Sequence, residues 1–146
     1  MDLNKLDDKP IFPIRTAAEL LKISIPTLRL YEKEGLIIPH KTNSNQRAYS
    51  KHDLERIECI RKSIKKSKIS INGIKAMLAM IPCWQIIGCS DLDRDNCISY
   101  SDSSKPCWAH KHDNGVCATN ECRECTVYKD FSECSKVKET IQNIGK

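Results

Sequence analysis

Cysteine is the residue type in this chain with the clearest capacity for chemistry, and eight of its nine copies lie in the second half. Thiolates bind zinc and iron–sulfur clusters, and neighbouring thiols also form redox-active disulfides. Cys122 and Cys125 have the Cys-x-x-Cys spacing that lets one tight turn offer two thiolates to one metal. The predicted metal ligands are Cys83, Cys89, Cys97, Cys107, Cys117, Cys122, Cys125 and Cys134.

The residues alone leave the nature of this centre open. Apolar side chains are sparse over residues 82–131 and too few for a self-supporting core. The segment therefore needs a bound metal, a metal cluster or disulfide bonds to be stable. Two structural zincs normally show two Cys-x-x-Cys knuckles, whereas irregular spacing with many thiolates suits an iron–sulfur cluster at least as well. The expected cofactor is an iron–sulfur cluster, with zinc or redox disulfides as alternatives. His110 and His112 are expected to be loop residues, and Cys59 a buried helix residue.

A short repeat marks the same half of the chain. Pro82-Cys83-Trp84 returns as Pro106-Cys107-Trp108, and further cysteines follow each copy. The duplicated tripeptide weakly resembles the "two-CW" Cys-rich modules that are attached to bacterial signalling proteins. Cys83 and Cys107 each open one copy, so they are the next expected ligands after Cys122 and Cys125.

The first half supplies the elements of a binding surface. Residues 12–21 have the apolar spacing of a short helix, and Lys22-Ile23-Ser24 is the expected turn to a second helix. Ser24 is predicted to cap that helix by accepting from the amide of Thr27, and Gly35 supplies a left-handed stop. Two extended runs around a turn-forming stretch, 36–40 and 46–49, then predict a β-hairpin.

Cationic side chains fall on both of these elements. Arg29 and Lys33 lie on the second helix, and Lys41 and Arg47 lie on the hairpin. Such a helix can enter the major groove of a DNA duplex while the hairpin rides the adjacent backbone.

Two further helices are expected before Pro82. Ser50 and Asp53 form a helix start, and Ser70 caps the next helix. The first is predicted to bury Leu54, Ile57, Ile60 and Ile64, with Arg56, Arg61, Lys62, Lys65 and Lys66 on its other face. The second is predicted to bury Ile71, Ile74, Met77 and Leu78.

Charge divides the chain near Pro82. Residues 1–81 hold 16 Lys and Arg against 9 Asp and Glu, a net charge of +7, whereas residues 82–146 hold 8 against 10. A basic segment of this kind is the electrostatic footprint of a nucleic-acid binder. A long apolar run is missing and the first residues are polar, so we expect no membrane span and a cytoplasmic location.

The first half resembles the MerR family of bacterial transcription regulators between Phe12 and Met80. The motif residues are Arg29-x-Tyr31-Glu32-x-x-Gly35-Leu36, followed by Arg47-x-Tyr49 and Asp53-Leu54. The resemblance implies a winged helix-turn-helix that binds double-stranded operator DNA, with RNA polymerase as the partner at transcription initiation. The predicted DNA-binding residues are Thr27, Arg29, Tyr31, Lys33, Lys41, Arg47 and Tyr49.

One feature departs from that family. MerR-like regulators continue into a long helix that pairs in a dimeric coiled coil, but here Ile81-Pro82-Cys83-Trp84 interrupts the chain. We still expect a homodimer, built through the Cys-rich module or through a C-terminal helix over Ser132–Ile144. Val137, Ile141 and Ile144 share one stripe of that helix.

The sequence therefore predicts a mainly α protein of two parts. Residues 1–81 form a winged helix-turn-helix, and residues 82–146 form a small, irregular, metal-stapled Cys-rich module with a C-terminal helix. The predicted function is a DNA-binding transcription regulator whose Cys-rich module senses redox state, oxygen or metal. A catalytic constellation is not evident, so we do not expect an enzyme. The alternatives are a regulator with purely structural zinc, or a metal-trafficking or electron-transfer protein that docks through its basic half.

Overall fold

The computed structural model describes residues 9–102, 104–110 and 122–130. The first half contains β1 (Phe12–Pro13), α1 (Ile14–Leu21), α2 (Ile25–Lys33), β2 (His40–Lys41), β3 (Arg47–Tyr49), α3 (Lys51–Lys65) and α4 (Ile71–Ala79). The second half contains the short helices α5 (Cys83–Ile87), α6 (Asp91–Asp95), α7 (Ile98–Ser101) and α8 (Thr126–Asp130), with 3₁₀ turns at Cys107–Ala109 and Cys122–Glu124. The predictions for Cys117, Cys134, His112 and the C-terminal helix fall outside the described residues.

The helix-turn-helix forms as its capping residues predict. The Thr27 amide donates to Ser24 Oγ at 3.3 Å, and Ser24 is the N-cap of α2. Lys22 ends α1 in the left-handed region with φ 56° and ψ 44°, a conformation that a non-glycine residue adopts only at some cost. Gly35 follows α2 with φ 76°, which confirms the expected stop.

The three strands form one antiparallel sheet in the order β1-β3-β2. Phe12 pairs with Tyr49 and His40 pairs with Ala48, so β3 lies in the middle. Phe12–Pro13 was expected to open a helix and is instead an edge strand, where a proline without an N–H is tolerated. The hairpin is also shorter than predicted, because residues 36 and 37 turn into the core before β2 begins.

The core of the first half lies between the sheet, α1, α2 and α3. Its buried members include Leu28, Tyr31, Leu36, Tyr49 and Ile57. The predicted stripe of α3 is confirmed: Ile57 and Ile60 are buried, and Leu54 and Ile64 pack against them.

Three side chains depart from the predicted pattern. Met77 is 54% exposed, because α4 meets the core through Ile74 and Met77 lies on its flank. Arg56 is not on a solvated face but is 3% exposed. Cys59 lies beside the apolar stripe rather than within it, and it is half-buried and disulfide-bonded.

A second apolar cluster joins the two halves. Ile81, Trp108, Val127 and Tyr128 are buried together, and Ile38 and Leu78 of the first half pack against them. Some of the sparse apolar residues of the second half are thus buried in part against the first half, a source of stability that the sequence pattern does not reveal. In the described part of the chain, no helix has both the length and the apolar character needed to cross a membrane.

Candidate functional site

The exposed face of α2 carries the predicted cationic residues. Arg29 and Lys33 are exposed, and Thr27 is half-buried at the first turn. Lys41 is exposed on β2, the first strand after α2. Three cations are thus exposed on α2 and the hairpin, and two of them, Lys33 and Lys41, line one groove.

Two predicted contact residues lie in the core instead. Tyr49 is fully buried and Tyr31 is 5% exposed, so neither ring is available on the surface. Burial raises the pKa of Tyr49 to about 12, which keeps its phenol neutral at physiological pH. Both tyrosines pack in the core beneath α2 and β3, where the apolar part of each ring is buried, and their contact with DNA stays a prediction.

Arg47 connects the hairpin to α2. Its Nε donates to Glu32 Oε2 in a half-buried ion pair. This hydrogen bond raises the pKa of Arg47 above its ordinary value, and the guanidinium stays charged. Arg47 therefore fixes the angle between β3 and α2, and in this conformation its Nε is committed to Glu32.

Six of the eight predicted metal ligands line one cavity in the second half. They are Cys83, Cys89, Cys97, Cys107, Cys122 and Cys125. The six side chains are half-buried thiols outside any disulfide. The aromatic rings of Trp84, Trp108 and Tyr128 complete the wall of a space of about 30 Å³. That volume is far below the few hundred Å³ of a typical organic ligand site.

Cys83 and Cys107 both line this cavity, and each affects the pKa of the other. A hydrogen bond from Cys107 lowers the pKa of Cys83 to about 7, and Ser99 and the backbone of Trp84 add further hydrogen bonds. The same contact, with burial, raises the pKa of Cys107. The pair thus favours a thiolate on Cys83 and a protonated donor on Cys107.

The other thiols divide into two groups around this pair. Cys122 and Cys125 lie near Cys107 and disfavour a charge on it. On the other side, Cys97 Sγ lies 3.0 Å from Ser99 Oγ, and burial raises the pKa of Cys89. The cavity therefore gathers cysteines from three separate stretches of the chain, and among them are the two pairs that the sequence put first, Cys122 with Cys125 and Cys83 with Cys107.

The donor chemistry of the cavity suits a soft metal, but its present arrangement does not yet form a metal site. Within residues 9–102, 104–110 and 122–130, no three His, Cys, Asp or Glu side chains are positioned to hold one ion. His110, expected in a loop, is buried with Nε2 at 3.8 Å from Asp102 Oδ2. Loading a metal would require the thiols to draw closer together.

The cavity wall also touches the end of α2. Trp108, beside Cys107, donates from Nε1 to the carbonyl of Gly35 at 2.8 Å. The backbones approach so closely that a Cβ on Gly35 would lie 2.6 Å from Ala109 Cβ. Glycine is required here both by its positive φ and by this contact.

Arg123, which lies between Cys122 and Cys125, anchors the same turn to the first half. Its two terminal nitrogens donate to the Asp53 carboxylate at 3.1 and 2.5 Å, and Nη1 also donates to the Ile38 carbonyl. Asp53 is at the same time the capping-box residue of α3, accepting from the Ser50 amide at 2.7 Å. The ion pair is buried, with side chains 9% and 6% exposed.

Arg56 completes this junction. Its guanidinium lies 3.8 Å from the centre of the Tyr128 ring and 5.3 Å from that of Trp108, and Nη2 donates to the Tyr128 carbonyl. The Tyr128 hydroxyl accepts from the Ile38 amide at 2.9 Å. The roles of Arg123 and Tyr128 could not be assigned from the sequence pattern. The available signals were an arginine inside the Cys-x-x-Cys turn and one beside the helix start at Asp53.

Comparison with known proteins agrees with this geometry for the first half. Residues 12–81 match the MerR HTH family regulatory protein family. A Streptomyces coelicolor protein, provisionally described as heat shock protein HspR, is 31% identical over 74 residues, covering 51% of this chain and 49% of that protein. The HTH-type transcriptional regulator GlnR of Bacillus anthracis is 32% identical over 71 residues, covering 49% and 54%. This chain thus spans about half the length of the curated relatives it matches. The similarity to the MerR HTH family thus covers residues 12–81, just under half of this chain.

Proposed function

We propose that this chain is a sequence-specific, operator-binding transcription regulator whose Cys-rich half senses redox state, oxygen or a metal. The observation that carries the proposal is the junction between the halves. Trp108 and Arg123 each neighbour a cavity cysteine, and they contact Gly35 at the end of α2 and Asp53 at the start of α3. A chemical change at the thiols is therefore adjacent to the elements that would hold DNA.

On DNA, α2 would lie in the major groove and the hairpin along the backbone. Arg29 and Lys33 are exposed on α2, Lys41 is exposed on β2, and Thr27 is half-buried at the first turn of α2. Arg47 acts in this proposal chiefly as a positioning residue, because Glu32 holds its guanidinium. Footprinting on genomic fragments tests the proposal, and protection of one defined site is the expected result.

For the sensing centre we propose an iron–sulfur cluster, with zinc as the alternative. Cys83, Cys107, Cys122 and Cys125 would supply most of the thiolates, because Cys107 already lies near the other three. A cluster would supply electron transfer and oxygen sensitivity, whereas zinc would stabilise the fold alone. Brown, air-bleached protein after anaerobic purification supports the first, and colourless protein with stoichiometric zinc supports the second.

For assembly we propose a homodimer that acts with RNA polymerase. One α2 covers a short site, and two copies related by a two-fold axis would read a palindrome. The contact would involve the Cys-rich half or residues 132–144. Deleting residues 132–144 should convert the DNA-bound dimer to a monomer. A variant that remains a dimer on DNA would exclude this segment from the dimer interface.

A metal-trafficking or electron-transfer protein is the rival of a different class. In that proposal the positive surface of the first half would dock an acidic protein rather than DNA. The exposed Arg29 and Lys33 serve either role, but the match of residues 12–81 to a helix-turn-helix family favours DNA. A docking protein would protect no defined site in the footprint.

A further inference from the structure

The turn between α1 and α2 is held by a side chain from α3. Arg61 Nη1 donates to the Leu21 carbonyl at 2.5 Å, although the two residues are 40 positions apart. Leu21 is the last residue of α1, and Ser24 is the N-cap of α2. The contact therefore ties the third helix to the short connection that sets the angle between the first two.

The Leu21 carbonyl needs a partner because a helix leaves its last four carbonyls without an intrahelical donor. Two of these carbonyls, in Ala18 and Glu19, accept from backbone amides of the turn at 3.1 and 3.3 Å. The guanidinium of Arg61 donates to the Leu21 carbonyl, and its positive charge suits the negative end of the helix dipole. Arg61 thus completes a helix end that the backbone satisfies only in part.

The turn that Arg61 holds contains a residue in an unfavourable conformation. Lys22 has φ 56° and ψ 44°, the left-handed region that a residue with a Cβ enters at a cost. A backbone of this kind keeps its geometry only where surrounding contacts hold it. The Leu21 carbonyl belongs to the peptide unit that leads into Lys22, so the hydrogen bond from Arg61 acts at this point of the chain.

Arg61 reaches the turn because it lies beside the apolar stripe of α3. It is four residues after Ile57 and three before Ile64, and side chains at these spacings are neighbours on a helix. Ile57 is buried, Ile64 packs against the same core, and Arg61 is half-buried. Burial raises the pKa of Tyr31 in α2, and the positive charge of Arg61 opposes that shift, so the guanidinium also acts on α2. Arg61 is therefore directed at the helix-turn-helix, not at the opposite face that the periodicity predicts.

We propose that Arg61 is a positioning residue for DNA binding: it fixes the angle at which α2 meets the operator and does not itself contact the DNA. The proposal rests on the proposed function as a DNA-binding regulator. Arg29 and Lys33 are both exposed on α2, so a change at the turn before that helix moves them together. A protein whose binding-competent geometry is populated only in part binds with an affinity reduced by that fraction.

Amide hydrogen exchange in the free, full-length protein tests the contact without DNA. Arg61→Met keeps an apolar stem and removes every donor, so it separates the hydrogen bond from the packing of the side chain. We expect the Lys22 and Ile23 amides to exchange at least about fivefold faster, because their hydrogen bonds close the same turn. The amides of Ile57 and Ile60 in α3 should exchange as in the wild type.

Two further variants complete this measurement. Lys65→Ala is the matched control, because Lys65 is an exposed cation one helical turn after Arg61, and it should leave exchange at the turn unchanged. Arg61→Lys keeps the charge but not the planar fork of donors, so its exchange should lie between the wild type and Arg61→Met. Arg61→Lys therefore gives an answer even if Arg61→Met does not fold. Exchange at the turn as slow as in the wild type in both variants would overturn the proposal, as would an equal increase throughout the first half.

Operator affinity over a range of salt concentrations distinguishes positioning from a phosphate contact. For Arg61→Met we expect a loss of at least about threefold, with the slope of log affinity against log salt unchanged. A slope shallower by about 0.9, the value for one lost phosphate contact, would make Arg61 a DNA contact and overturn the proposal. Unchanged affinity despite faster exchange at the turn would overturn it too.

The two arms keep this inference separate from the proposed function. Faster exchange at Lys22 and Ile23 in a protein whose wild type protects no defined site would leave the contact at the turn intact and refute the DNA-binding function. A clear footprint that Arg61→Met and Arg61→Lys leave unchanged would support the DNA-binding function and refute the positioning role of Arg61.

Discussion

Replacing Arg123 with alanine removes the charged anchor between the Cys-x-x-Cys turn and the first half. The substitution deletes two hydrogen bonds to Asp53, at 3.1 and 2.5 Å, and one to the Ile38 carbonyl. Asp53 then remains buried and loses the guanidinium that is hydrogen-bonded to it.

The expected loss follows from that buried charge. Breaking a buried ion pair by removing one partner costs about 3–5 kcal/mol of unfolding free energy. Asp53 keeps its capping contact with the Ser50 amide at 2.7 Å, so we expect about 3 kcal/mol, the lower end. In an Asp53→Asn background the same substitution should cost only about 1–2 kcal/mol, the range for a lost hydrogen bond.

Urea unfolding in reductant measures these differences, followed by circular dichroism and by the fluorescence of Trp108 at the junction. Lys129→Ala is the matched control, because the Lys129–Glu124 pair is 2.9 Å long but largely exposed. Exposed pairs contribute about 0–1 kcal/mol. If Arg123→Ala were no more destabilising than Lys129→Ala, the junction could not depend on this ion pair.

Three further outcomes are expected. Arg29→Ala should weaken operator binding by about 1–3 kcal/mol in a gel-shift titration, whereas Arg94→Ala in the second half should not; equal affinities would remove Arg29 from the interface. Gly35→Ala should destabilise the chain by more than the roughly 1–2 kcal/mol of left-handed backbone strain, because its Cβ would meet Ala109. Gly88→Ala measures that strain alone, since Gly88 has a similar φ and nothing lies within 4 Å of its Cβ position. Equal losses of unfolding free energy would refute the contact with Ala109. Cys83 in metal-free protein should alkylate with a midpoint near pH 7, well below the ordinary 9.0, because its pKa is lowered. The Cys83 thiolate contributes fully to the free energy of unfolding above about pH 9, and this contribution is lost as pH falls through about 7. An alkylation midpoint near pH 9 would exclude the hydrogen bond to Cys107.

Local features of the fold could be predicted from the sequence because they depend on neighbouring residues. Ser24 caps α2 through a residue three positions away, and Gly35 ends it through its own backbone freedom. The turn predicted at Lys22-Ile23-Ser24 is also present, since Lys22 ends α1 there.

The junction could not be predicted, because its partners are far apart in the chain. Arg123 and Asp53 are 70 residues apart, and the periodicity of α3 placed Arg56 on the face opposite the apolar stripe, whereas it is buried. A hydrophobic pattern assigns every arginine to the exposed face of a helix. Arg56 is buried because its guanidinium packs on the Tyr128 ring, a partner that the pattern does not show.

In the candidate site, too, local features could be predicted from the sequence and long-range contacts could not. Arg29 and Lys33 are exposed as predicted, but Tyr31 and Tyr49 are buried. An amphipathic ring in a recognition motif fits a core or an interface equally well, and its burial is decided by the sheet that covers it. Cysteine spacing indicated a common site without showing which thiols meet, since Cys83 and Cys107 are brought together only by tertiary packing.

The most direct test of the proposed regulator is its affinity for a footprinted operator in two states of the cavity. One protein sample is measured anaerobically as purified, and the same sample is measured after oxidation and again after reduction. The proposed function predicts a reversible change of at least about fivefold, carried from the thiols through Trp108 and Arg123 to α2 and α3. Equal affinity in all three states, with the cysteines shown to be chemically altered, would contradict it.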